Sequence, residues 1–117
     1  MNYIDGFVAA VPSANKEAYR AFAEKMAVVF KKYGALGIVE NWGDDVPEGK
    51  LTSFTMAVKR EDSESIIFSW VTWPSRAVRD EGWKAIMQDP IMQEDNYKNI
   101  FDGKRMIFGG FQTIVEA

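Results

Sequence analysis

The spacing of apolar residues switches between a period of two and a period of three to four, and each switch marks an element. Tyr3-Ile4-Asp5-Gly6-Phe7-Val8-Ala9-Ala10-Val11 reads as a strand, ended by Pro12. Tyr19, Phe22, Ala23, Met26, Phe30 and Tyr33 then recur at helical steps, with Glu17, Arg20, Glu24, Lys31 and Lys32 on the opposite, solvated face. Asn15 stands where an N-cap is wanted, and Gly34 where a left-handed residue would close the helix. A second strand is predicted from Leu36 to Trp42, a third over about Thr52 to Val58 and a fourth from Ser65 to Trp73. Turn-rich residues 43–49 and the polar run 59–64 separate them.

After Pro74, Ser75 is placed to cap a second helix with Val78, Trp83, Ile86 and Met87 as its buried positions. Asp89-Pro90 restarts a short helix, because Asp caps well and Pro is tolerated in a first turn. Asp102-Gly103 marks a tight turn, and Met106 to Val115 is a last strand with Gly109-Gly110 inside it. The order β, α, two or three β, α, short α, β predicts a single α+β domain over residues 1–117, a ferredoxin-like βαββαβ antiparallel sheet with its helices on one face.

The strands are apolar on both sides. Ile66, Phe68 and Trp70 alternate with Ile67, Val71 and Trp73, and Met106 and Phe108 with Ile107, Phe111 and Val115. Two helices can cover only one face, and soluble monomers rarely leave an apolar patch above a few hundred Å² open. The expected answer is a homodimer packed sheet to sheet; the alternative is that residues near Lys98 fold across the face of one chain.

Composition narrows the chemistry. The 117 residues include no cysteine and no histidine, which excludes a thiolate nucleophile, a Ser-His-Asp triad and imidazole as a general base or metal ligand. A net charge of −3 with scattered basic residues leaves no footprint for nucleic acid, and no apolar run is long enough to span a membrane. Asp5 interrupts the first apolar stretch, so an unprocessed, cytoplasmic chain is expected.

Tyr3-Ile4-Asp5-Gly6-Phe7, Glu40-Asn41-Trp42-Gly43-Asp44-Asp45-Val46-Pro47-Glu48-Gly49-Lys50, Phe68-Ser69-Trp70, Trp73-Pro74-Ser75 and the run from Phe101 to Phe111 are similar to the bacterial YbaA-like proteins, a family of unknown function. The resemblance spans nearly the whole chain. It implies membership of the dimeric α/β-barrel superfamily, whose members hold ligands between the sheet and its covering helices. It carries over no catalytic residue.

Polar side chains that interrupt apolar strands are therefore the natural site candidates: Asp5, Glu40 and Asn41, with Arg105 as a donor, for catalysis, and Ser69 and Thr72 for binding. The plainer reading of Asp5 and Glu40 puts them at strand ends in water or paired with Lys104 or Arg105. Trp42, Trp70, Trp73 and Trp83 form either an aromatic wall for a ligand or ordinary core. Asp44, Asp45 and Glu48 lack the ligand spacing of a calcium loop, so no metal site is expected; nor does Gly109-Gly110 make a dinucleotide fingerprint, and no cofactor is called for. Two functions fit. One is a small-molecule binder or cofactor-independent enzyme, oxygenase- or isomerase-like, acting on a small apolar or aromatic ligand; the other is a non-catalytic dimer with a packed interior that meets a protein partner.

Overall fold

The computed structural model describes residues 1–93 and 97–117. Its strands are β1 (Tyr3–Pro12), β2 (Gly37–Trp42), β3 (Glu64–Trp73) and β4 (Ile107–Gln112). Its helices are α1 (Lys16–Lys32), α2 (Phe54–Ala57), α3 (Arg76–Gln88) and α4 (Pro90–Gln93), with single 3₁₀ turns at Ser13–Asn15 and Gly103–Arg105. Among the described residues no helix is long and apolar enough to cross a membrane.

One antiparallel sheet runs in the order β2-β3-β1-β4. Side chains alternate across a sheet, so register assigns the faces. Asp5, Phe7 and Ala9 stand beside Val71, Ser69 and Ile67, and these beside Ile38, Glu40 and Trp42. This face meets α1 and α3. Met26 and Phe30 of α1 and Ile86 of α3 close on Val71 and Trp73, while Tyr19 and Ala23 close on Ala9, Val11 and Ile67. Gly82 is what lets α3 lie so close: a Cβ there would stand 2.5 Å from the Trp73 ring.

The caps follow sequence chemistry only in part. The Ser75 hydroxyl accepts from the Val78 amide, Asp89 accepts from the Ile91 amide, and Gly34 takes the left-handed φ of +111°. Asn15 does occupy the N-cap position, but a 3₁₀ turn leads into the helix and its amide instead donates to the Ile100 carbonyl. Met87, expected in the core, is exposed.

The predicted third strand is a helix. Thr52, Phe54, Met56 and Val58 alternate as a strand would, yet Ser53 caps α2 by accepting from the Met56 amide, and Thr55 and Val58 turn inward. Val58 is fully buried against Val8, Ala10 and Ile66 on the sheet's second face, so this segment shields one end of that face. Residues near Lys98 do not: Ile100, Phe101 and Met106 pack on the helix side. The rest of the second face stays open, with Val39, Phe68, Ile107 and Phe111 all more than 40% exposed. The last strand is also shorter than predicted, ending at Gln112.

Candidate functional site

The space between the sheet and its helices is not filled. A cleft of about 1300 Å³ opens there, floored by Asp5, Phe7, Ile67, Ser69 and Glu40 of the sheet. Phe22, Met26 and Phe30 of α1 and Arg79, Trp83 and Met87 of α3 wall it, and Phe101, Met106 and Phe108 close the C-terminal side. A smaller lobe of about 300 Å³ shares Tyr19 and Glu40 and extends to Trp42 and Lys16. The lining is mostly carbon, with a few polar groups at set places, which is the make-up of small-molecule sites.

Glu40 is one of those groups. Alternation in β2 points it at the helices, and its Oε1 accepts from the Tyr19 hydroxyl at 2.7 Å. Tyr19 is buried on α1, and burial beside that carboxylate pushes its phenol well above the usual tyrosine range. It stays neutral and donates. Although much of the Glu40 residue is exposed along the edge strand, loss of water around its carboxylate raises its pKa above the ordinary value; hydrogen bonds from Tyr19 and Ser69 pull the other way. The result is a carboxylate more basic than one in water, held by the Tyr19 hydroxyl at an apolar cleft, with Ser69 beside it on β3.

Asp5 is the second group, and it is locked. Its Oδ2 accepts from the indoles of Trp73 and Trp83 at 2.9 and 2.8 Å, and Arg79 grips both oxygens at 2.8 to 3.2 Å. The residue is 3% exposed and both carboxylate oxygens already accept hydrogen bonds, so neither is free to receive one from a ligand. The Arg79 guanidinium lies over the Tyr3 ring and is held charged, its pKa raised chiefly by the hydrogen bonds to Asp5. Neither Asp5 nor Glu40 pairs with Lys104 or Arg105. Arg105 instead forks onto buried Glu64 at 2.6 and 2.7 Å.

Of the sequence candidates, Asp5, Glu40 and Ser69 thus converge on the cleft, and Trp42 borders its smaller lobe. Trp73 is fully buried and serves Asp5 as a donor. Asn41, Trp70 and Thr72 lie on the sheet's other face, where the Asn41 amide donates to the Phe68 carbonyl, and Arg105 is engaged with Glu64. Glu48 accepts from the Thr55 hydroxyl. Tyr19 and Arg79 escaped the sequence reading. A signal existed for each: Tyr19 is a hydroxyl on an apolar helical stripe, and Arg79 is four residues before Trp83, on the same helix face.

The family model described as "Protein of unknown function (DUF1428)" matches residues 2–103. The chain belongs to the DUF1428 family. It is 53% identical over 116 residues to the uncharacterized protein YbaA of Escherichia coli K12 and, to the same extent, of Shigella flexneri, covering 99% of both partners in each comparison. The DUF1428 fold also resembles the solved structure of Rv0793 from Mycobacterium tuberculosis, with a TM-score of 0.53 over 100% of this chain and 99% of that one. At 13% identity that likeness concerns the fold alone.

Proposed function

We propose that the cleft binds a small, mainly apolar or aromatic molecule with one acidic proton, and that Glu40 is the group that accepts it. The observation that carries this reading is the pairing of a large carbon-lined cleft with a carboxylate, Glu40, that is desolvated and, among the described residues, not ion-paired. The Tyr19 hydroxyl holds the carboxylate in place without neutralising it. In the proton step, the ligand's O–H bond breaks, its electron pair stays on the ligand oxygen, and Glu40 gains the proton. Cofactor-independent enzymes of the superfamily that the sequence resembles act on molecules of this kind, and the same geometry serves a carrier that stops at binding.

The test compares naphthol with its methyl ether by isothermal titration calorimetry. A charge-assisted hydrogen bond to Glu40 favours naphthol by about tenfold or more, and Glu40→Gln removes the preference. Equal affinity of both ligands for the unmodified protein would contradict the proposal.

We propose further that two copies pair through the open sheet face, as ferredoxin-like halves of a dimeric α/β barrel. The order β4-β1-β3-β2 with α1 and α3 on one side suits that assembly. Val39, Phe68, Ile107 and Phe111, with Trp70 half-buried among them, offer the apolar patch it needs.

A further inference from the structure

The Asp5–Arg79 unit borders the same cleft as Glu40 but is idle in the proton step. Its donors are not exhausted. A guanidinium has five N–H groups. In Arg79, Nε–H goes to Asp5, one Nη2–H to Asp5 Oδ1 at 2.8 Å and one Nη1–H to Asp80 Oδ1 at 3.0 Å. Among the described residues one N–H on each terminal nitrogen is left over, on a side chain that lines the cleft and is 22% exposed. Space around the group is kept by Gly110 of β4, where a Cβ would stand 2.8 Å from Arg79 Nη2.

Register gives the separation. Asp5 stands opposite Val71, Val71 opposite Ile38, and Glu40 lies two residues further along β2. Two inter-strand steps and a two-residue advance place Asp5 and Glu40 about 12 Å apart on one face. The charges at the Arg79 end also select. Arg79 and Arg76 face Asp5 and Asp80, so the charges of the cluster balance and leave no surplus positive charge to draw a third anion, whereas a neutral acceptor needs only the spare N–H groups.

Resting on the reading of the cleft as a ligand site with Glu40 at one end, we infer that the ligand carries a neutral carbonyl-type acceptor on the order of 10 Å from its acidic proton, and that Arg79 receives it. Arg79 is then the specificity-determining residue, and the substrate class is an elongated hydroxy-carbonyl molecule of about two fused rings, its polar groups at opposite ends.

The test is calorimetric titration with naphthol and with an acetylnaphthol whose hydroxyl and acetyl groups sit at opposite ends of the rings. The acetyl compound binds about tenfold tighter or better, as expected for a hydrogen bond from a charged donor. The analogue with a carboxylate in place of the acetyl group binds no tighter than naphthol. Asp5→Asn combined with Arg79→Gln removes the ion pair as a unit and brings the acetylnaphthol-to-naphthol ratio to about one, with folding checked by circular dichroism. If that variant does not fold, the two ligands on the unmodified protein still decide. Equal affinity for both overturns the role of Arg79 while leaving the cleft as a site, tightest binding of the carboxylate overturns the neutral-acceptor class, and no binding of either naphthol overturns the underlying reading as well.

Discussion

Glu40 and Glu64 show how surroundings give one residue type opposite behaviour. Glu40, desolvated, has a raised pKa, so the folded state holds its proton more tightly than the unfolded chain does. Its contribution is intact below the ordinary carboxylate value of about 4 and is lost as pH rises through the raised value. Urea unfolding as a function of pH should show that loss in the parent protein and not in Glu40→Gln. Glu64 is the reverse, because the Arg105 hydrogen bonds lower its pKa; its stabilisation is present above the ordinary value and fades as pH falls. Arg105→Ala would strand a carboxylate that is 4% exposed and should cost about 3 kcal/mol or more in unfolding free energy. A loss below about 1 kcal/mol would mean the pair acts like a surface salt bridge. Asp5, Glu40 and Ser69 could be picked from the sequence because a polar residue inside an apolar strand has to be accommodated. Arg79 was marked only by its place four residues before Trp83 on one helix face, and nothing local says that a helical arginine will reach across to strand β1.

Helices α1 and α3 were readable because their apolar stripes repeat over several turns, where periodicity outweighs local ambiguity. Segment α2 was not: four residues are too few to separate the two periods, and what decides is the burial of Val58 against Ala10 and Ile66, a tertiary effect. Gly82 belongs to the same scale. Helix propensity favours alanine over glycine by about 1 kcal/mol, but a methyl group would enter the Trp73 ring and approach the Tyr33 carbonyl to 2.8 Å. Packing wins, and Gly82→Ala should destabilise by roughly 1 to 3 kcal/mol in denaturant unfolding. A gain in stability would show that α3 can move off the sheet freely, and one wall of the cleft with it.

The whole molecule divides its sheet between two tasks. One face carries helices and a cleft, and the other, apart from the end under α2, carries exposed aromatic and branched side chains. The sequence pattern made both faces visible as apolar but could not tell a filled core from an open cleft, because both are lined by the same residue types. Trp70→Glu, placed in the open face, should turn a dimer into a folded monomer in sedimentation while leaving circular dichroism unchanged; a protein already monomeric before the substitution would remove the barrel assembly. The account as a whole stands on the cleft being a place where ligands bind with Glu40 as their polar contact. A crystal soaked in naphthol tests this most directly. The predicted result is a ring between Phe22, Trp83 and the sheet, its oxygen within hydrogen-bond distance of the Glu40 carboxylate; a cleft found closed over its own side chains, or naphthol bound only on the opposite face of the sheet, would contradict it.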